Sequence, residues 1–395
     1  MSKRTFNTKR LSMWELCGIL AMLLAGGSIL SPLASAGEPV VKQEGPVRKI
    51  VLLPPGPGNP RNSEGDFIRL NDGRILFIYT HFYGGGGDHS AAYLAGRYSA
   101  DGGKTWTAED VKVIDNEGDW NIMSVSLLRL QNGNIALFYM LKNSETDTRP
   151  VMRISTDEAE TWSEPVRIIP EEHMGYYVLN NDRVVQLKRG RLVVPVSRHS
   201  DPGAGEKWTG YGRQTCYLSD DNGASWRRCQ SVLSGDRDEG GRVVLQEPGV
   251  VELKDGRLMM WCRTQSERQY VSYSEDQGET WSRMEPSDIM SPCSPASIER
   301  IPGTGDLLLV WNNHRDIDPA LKGKRTPFNV AISKDEGKTW QNVKTLEDDP
   351  HGWYCYTAVA FVDDHVLLGH CAGDRRKGGL SLTQITRFPV DWLYR

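Results

Sequence analysis

Apolar and polar positions alternate along most of this chain in short runs, and the runs come in pairs. FIRLNDGRILFIY surrounds Gly73, SLLRLQNGNIALFY surrounds Gly133, VVQLKRGRLVVPV surrounds Gly190 and VVELKDGRLMMW surrounds Gly256. Looser versions, SIERIPGTGDLLLVW and TAVAFVDDHVLLG, surround Gly305 and Asp364. Each places β-rich text on both sides of a turn dipeptide, which predicts a hairpin. A second phrase runs out of phase with the hairpins: SADGGKTW, STDEAETW, SDDNGASW, SEDQGETW and SKDEGKTW, ending at Trp106, Trp162, Trp226, Trp281 and Trp340. Steps of 55 to 64 residues between these tryptophans mark a solenoid, a propeller or an array. Within the phrase, Ser and Asp side chains cap backbone N–H groups, Gly supplies a positive φ and Trp anchors the turn in apolar surface. The second copy has Ala159 in place of Gly, which predicts a looser turn there. The repeated aspartates, Asp101, Asp157, Asp221, Asp276 and Asp335, read as fold devices rather than chemistry.

Six hairpins, five of them followed by the phrase, imply six four-stranded sheets: an all-β, six-bladed β-propeller. The sixth blade lacks the phrase. Pairing of the N-terminal run Arg48 to Leu53 with the C-terminal strands near Ser381 to Phe388 completes it and removes exposed edges. Residues 61–395 show no composition break and are expected to form this one propeller, after an extended Pro/Gly-rich segment over 37–60.

The composition is ordinary for a globular chain, with 38% hydrophobic and 25% charged residues. A net charge of −4, with basic clustering confined to the first ten residues, argues against a nucleic-acid partner. Lys3, Arg4, Lys9 and Arg10 precede an apolar stretch, Ile19 to Leu33, that ends in Ala34-Ser35-Ala36. This order predicts a secretory signal over residues 1–36, export to the periplasm or medium, and no stable membrane insertion after cleavage. Six cysteines follow it, and Cys216 and Cys229, placed symmetrically about the third phrase, are candidates for a cross-strand disulfide. No Cys/His spacing resembles a zinc site, and the glycine run Gly84 to Gly87 lacks the Lys-Ser/Thr and helix of a phosphate loop, so neither a metal nor a cofactor is expected. The oligomeric state is not encoded in any feature of this kind.

Inner strands of a propeller begin near its axis, on the face where ligands bind. Counting nine or ten residues back from each hairpin turn gives Glu64, Ser124, Asn180 with Asn181, Glu247, and Tyr354 with Cys355. The far ends of the hairpins carry His81, Lys142, Arg198, Arg263, Asn313 with His314, and His370. At these residues the chain resembles the Asp-box sialidase (neuraminidase) family over essentially its whole mature length. Glu247 stands in QEPGVVELKDGRLMMWCR, closed by Arg263; Arg325 precedes the last phrase in RTPFNVAISKDEGKTW; and Asp88 lies on the loop between the first hairpin and the first phrase. Tyr354-Cys355-Tyr356-Thr357-Ala358-Val359 stands where the family has a Tyr-Ser motif entering an apolar strand. The entry to the first blade departs from the family's Arg-Ile-Pro triplet: here it reads Asn59-Pro60-Arg61-Asn62-Ser63-Glu64, so Arg61 is the candidate first arginine and Glu64 adds a carboxylate to the pocket.

The resemblance implies a secreted retaining exo-α-sialidase, or a close relative, acting on glycans that end in sialic acid or another acidic sugar. Arg61, Arg263 and Arg325 are then expected to hold the sugar carboxylate through planar, permanently charged forks. A neutral Tyr hydroxyl attacks where a carboxylate would be repelled by that anion, which sets sialidases apart from the two-carboxylate glycosidases. Tyr354 is the expected nucleophile and Tyr356 its competitor, with Glu247 as the activating base and Asp88 as acid, then base. His89, Trp120, Asn181, Arg198 and Trp208 are candidates for shaping the sugar pockets, with Glu64. Two other functions fit the same scaffold: a non-catalytic propeller binding glycans or proteins, and a propeller polysaccharide lyase acting on uronates.

Overall fold

Turn chemistry sets the architecture. In the third phrase, Asp221 Oδ1 accepts from Ser219 Oγ (2.7 Å) and from Ser225 N (2.9 Å), while Ser219 Oγ accepts from Gly223 N (2.8 Å). Gly223 sits at φ 91°, and Trp226 Nε1 closes the turn on the Gly223 carbonyl at 3.0 Å. The Asp and Ser bonds recur around Asp101, Asp157, Asp276 and Asp335, and the Trp bond recurs at Trp281. Ala159 does not loosen the second copy: it takes φ 68° and still donates to Ser155 Oγ at 2.8 Å. The tight turn is kept at the cost of a Cβ in the left-handed region.

The computed structural model describes residues 40–238 and 240–395, and the targeting segment expected over 1–36 lies outside the described residues. Six antiparallel sheets follow one another around a common axis, each ordered from an inner to an outer strand. Blade I is Arg61–Arg69, Ile75–Phe82, Ala92–Ser99 and Val111–Ile114. Blade II is Asn121–Arg129, Ile135–Ser144, Asp147–Ser155 and Val166–Arg167. Blade IV runs Gln246–Glu252, Leu258–Arg263, Arg268–Ser274 and Glu285–Met290, and blade V runs Ser297–Arg300, Leu307–Trp311, Phe328–Ser333 and Gln341–Glu347. The fold is the six-bladed all-β propeller that the hairpins predict. Apolar faces of neighbouring sheets form the core between blades, as where Phe67 and Phe77 of blade I meet Leu367 and Ile385 of blade VI.

Two sheets differ from the expected four-strand pattern. Blade VI has five strands: Gly352–Val362, His365–Asp374, Thr383–Pro389, Val47–Leu53 and Val40–Glu44. Val47–Leu53 pairs with Thr383–Pro389, so the two ends of the described chain close the ring, and the further strand shields the new edge. In blade III the inner strand splits into Tyr177–Val178 and Val185–Gln186, both pairing with Leu192–Arg198, outside which lie Arg213–Ser219 and Arg227–Arg228. The backbone between the two pieces turns toward blade II: Asp182 N donates to the Val125 carbonyl (3.0 Å) and Arg183 N to Ser126 Oγ (3.0 Å). Cys216 on Arg213–Ser219 and Cys229 just past Arg227–Arg228 are neighbours, but both are free thiols, with Cys216 N donating to Cys229 Sγ at 3.3 Å, so the expected disulfide is not formed.

Candidate active site

Four inner strands carry a β-bulge at the same depth. The register shifts between Ser63 and Asp66, Met123 and Ser126, Gln246 and Gly249, and Cys355 and Ala358. Within each shift one non-glycine residue has a positive φ: Glu64 (57°), Ser124 (61°), Glu247 (55°) and Tyr356 (53°). A bulge re-aims a side chain out of the alternation of the strand, and these four side chains converge on one cavity. The space between them, which opens to solvent at the mouth, is about 430 Å³, and its wall also includes Asp88, Lys142 and Tyr176. Left-handed non-glycine backbone is uncommon and costs energy, so four instances in one ring mark a built site.

Tyr356 Oη donates to Glu247 Oε1 at 3.2 Å and accepts from Arg263 Nη1 at 3.3 Å. Arg263 Nη1 also pairs with Glu247 Oε2 at 2.9 Å, and Asn180 Nδ2 donates to the same oxygen at 3.2 Å. Burial, with the Glu247 carboxylate second, pushes the Tyr356 hydroxyl well above its usual range, while Arg263 and Arg325 oppose that rise. The hydroxyl is therefore protonated and needs a base to become a nucleophile; Glu247 is in place for that.

Tyr354, given with Cys355 by counting from the hairpin turn and favoured over Tyr356 by the register of the Tyr-Ser motif, faces the other way. Its ring is 5% exposed and packs against Phe328 (5.8 Å between centroids) and His370 (6.4 Å) in the core of blades V and VI. The miscount has a geometric source. In blades I, II and IV, five residues separate the last strand pair at the hairpin end, as between Arg69 and Ile75, whereas only two separate Val362 and His365. Counting back from a shorter turn overshoots the bulge and lands on Cys355 and Tyr354.

The three arginines differ in what they have free. Arg61 is 2% exposed, stacks on Phe82 (4.4 Å) and is fully engaged: Nε donates to Ser63 Oγ (2.9 Å), Nη2 to Glu64 (2.6 Å), and Nη1 to Asp88 (2.6 Å) and the Gly86 carbonyl (3.3 Å). Arg263 spends Nε and Nη2 on Gln246 and Nη1 on Tyr356 and Glu247. Arg325 makes one long bond, Nη2 to the Cys293 carbonyl at 3.4 Å, and lies over the rings of Trp353 and Tyr356 at 5.0 and 5.2 Å. It is the guanidinium of the three with open donors.

Asp88 rides on the glycine loop Gly84 to Gly87, its side chain 63% exposed. Asn121 Nδ2 (3.0 Å) and Lys142 Nζ (2.8 Å) hold the Asp88 carbonyl, which fixes the loop against blade II. Crowding by protein pushes the Asp88 carboxyl up, but the Arg61 guanidinium outweighs it and holds the group below the usual carboxylate range. Glu64 goes the other way: burial raises it despite Arg61, and Ser124 Oγ donates to its second oxygen. Burial lowers Lys142 to about 8, with Asp88 and Glu64 opposing.

The remaining candidates separate. His89 stands at the mouth, stacked on Trp120 (3.9 Å) and 3.3 Å from Tyr176 Oη. Asn181 is not on the cavity wall; it donates to the Gly65 carbonyl (2.9 Å) and the Tyr356 carbonyl (3.1 Å) and so ties the inner strands of blades I and VI. Arg198 pairs with Asp201 beside a neighbouring hollow. Tyr176 has no counterpart in the sequence pattern, whereas Lys142 stands at the hairpin end on the ligand face, the position that Arg263 occupies two blades on.

Comparison with known proteins follows the same line. A model of the BNR repeat-like domain matches residues 82–368. The anhydrosialidase of Macrobdella decora is 26% identical over 336 residues, 78% of this chain and 41% of that one. The sialidase of Bacteroides fragilis (strain YCH46) is 23% identical over 338 residues, 76% of this chain and 58% of its own. The chain thus spans less than two thirds of either relative. A protein of unknown function from Dyadobacter fermentans DSM 18053 superposes with a TM-score of 0.68 at 18% identity, covering 88% of this chain and 100% of its own. Trypanosoma rangeli sialidase, in complex with 2,3-difluorosialic acid as a covalent intermediate, superposes at 0.66 and 17% identity, over 88% of this chain and 59% of that one. At these identities the structural matches establish a shared fold.

Proposed function

The chain belongs to the BNR repeat-like domain family, and from that premise and the cavity's geometry we propose that it is an exported, retaining hydrolase of acidic sugar glycosides, in the manner of an exo-α-sialidase. The observation that carries the reading is the Tyr356 hydroxyl held between Glu247 and Arg263 at the axis. The anhydrosialidase and the sialidase among its distant relatives support the same chemistry.

In this reading Arg325 takes the sugar carboxylate first, because its donors are open, with Arg263 beside it. Glu247 removes the Tyr356 proton while the oxygen bonds to the anomeric carbon, and the bond from that carbon to the leaving oxygen breaks. Asp88 gives its proton to that oxygen. Water then loses a proton to Asp88 and bonds to the anomeric carbon; the tyrosyl bond breaks, and Glu247 returns the proton to Tyr356. Two displacements retain the anomer.

Asp88 starts in the wrong state for the first step, since Arg61 keeps it ionised. An incoming carboxylate competes for Arg61, and its charge next to Asp88 raises that carboxyl toward the value an acid needs. The substrate thereby helps to protonate its own acid. Glu64, the carboxylate that the family pattern lacks, shares Arg61 and favours substrates that rely less on that arginine than sialic acid does in the family. Export, with removal of residues 1–36, is part of the proposal and is checked by N-terminal sequencing of the secreted protein.

The test is proton NMR of the first product released from an α-linked sialyllactose. The free sugar acid appearing first as its α anomer supports the reading. A β anomer, an unsaturated uronate from a uronate-bearing substrate, or no product from any acidic glycoside contradicts it.

A further inference from the structure

Aromatic rings continue past the cavity mouth along blades II and III. Tyr176, part of the cavity wall, meets His89 edge-on at 6.2 Å and Trp208 at 6.4 Å and 90°. One face of Trp208 stacks on His199 (5.9 Å, 16° between planes), yet the side chain is 50% exposed, so its other face is open to solvent. Leaving an indole face in water forgoes the stabilisation that its burial would bring. Nothing in the local fold requires a tryptophan here, since it sits on the loop between Leu192–Arg198 and Arg213–Ser219.

The rim of this face is polar but balanced. A hollow of about 570 Å³ beside it is lined by Arg198, Glu206 and Arg213, among others. Each cation there has its own carboxylate: Arg213 bonds Glu206 twice at 2.8 Å, Arg198 pairs with Asp201, and Arg242 pairs with Asp236 at 3.1 Å. Among the described residues, no cation lining the hollow is left without a carboxylate, in contrast with Arg325, whose donors are open over the Tyr356 ring. Hydrogen-bonding groups around an apolar plate match a neutral pyranose, which presents a C–H face and a rim of hydroxyls.

We propose that the open face of Trp208, continued by Tyr176, is the subsite for the neutral sugar to which the acidic sugar is attached. The platform is continuous with the cavity through Tyr176, so a ring on Trp208 lies on the side from which the leaving oxygen departs past His89 and Asp88. That this sugar is the leaving group rests on the hydrolase reading; that a neutral pyranose binds here does not.

Two readouts separate the claims. Saturation-transfer NMR with lactose alone is expected to show binding to the full protein, retained in Glu247→Gln and lost in Trp208→Ala, whose exposed side chain is not needed for folding. In kinetics, Trp208→Ala is expected to raise KM for sialyllactose roughly tenfold, the scale of one well-packed aromatic contact. Methyl α-sialoside, which lacks the second ring, is expected to stay within about twofold, as for an ordinary surface substitution. Lactose binding that Trp208→Ala leaves unchanged overturns the proposal, as does an equal rise in KM for both substrates. Lactose bound through Trp208 in a protein that cleaves no acidic glycoside keeps the subsite and removes the hydrolase reading.

Discussion

Lys142 shows how one side chain can set a working range. It lines the cavity, and burial brings its ammonium down to about 8 against the pull of Asp88 and Glu64. Below that pH it adds a cation beside the acid; above it the charge is lost. An anionic substrate is therefore expected to bind progressively worse above about pH 8, seen as a fall in kcat/KM that Lys142→Gln abolishes; an alkaline limb that survives in the variant contradicts this role. Ala159 is a second residue-scale case. A methyl group at φ 68° costs about 1 kcal/mol, so Ala159→Gly is expected to raise the urea midpoint by about that much in free energy. The substitution was legible as a break in the phrase, but not its consequence: the Ser155 and Asp157 hydrogen bonds hold the turn shut whatever occupies the position.

Elements divide into those whose signal is local and those set by their neighbours. Hairpins and Asp-box turns repeat the same turn chemistry, so a single sequence displays them six and five times. The inner-strand bulges leave no such trace. They depend on how one strand registers with the next, and Glu64, Ser124, Glu247 and Tyr356 have no residue type in common. Alignment on the turns found the first three because those hairpins have equal ends, and it missed Tyr356 because blade VI turns on two residues. The split inner strand of blade III is hidden for the same reason, since its backbone pairs across to blade II. The Asp-box turns also carry a pH dependence. Hydrogen bonds from Thr161 and Ser225, first in effect, hold Asp157 and Asp221 at about 2. Depressed carboxylates stabilise the fold above their unfolded value of about 3.9, and that contribution is lost as pH falls toward 2. Unfolding midpoints are expected to drop over that window, less steeply in Asp221→Asn; equal slopes in both proteins would sink the idea.

The whole ring depends on closure. Ile50, Leu52 and Leu53 of Val47–Leu53 are almost fully buried against blades I and VI, each worth about 1.5–3 kcal/mol. Removing residues 40–53 also bares the edge of Thr383–Pro389. A marked drop in Tm with aggregation is expected; an unchanged Tm shows that the ring closes otherwise. The same closure brings Tyr356 of blade VI to Glu247 of blade IV, 109 residues earlier in the chain. Their order and the family resemblance were readable in advance, and which tyrosine makes the contact was not.

The most direct measurement compares Tyr356→Phe with Tyr354→Phe in release of fluorophore from a 4-methylumbelliferyl α-sialoside. Both proteins are expected to fold, since each change removes one oxygen. Tyr356→Phe is expected to lose activity by about 10² or more, and Tyr354→Phe to keep most of it. The reverse order, or equal activity in the two variants, contradicts the account of the site.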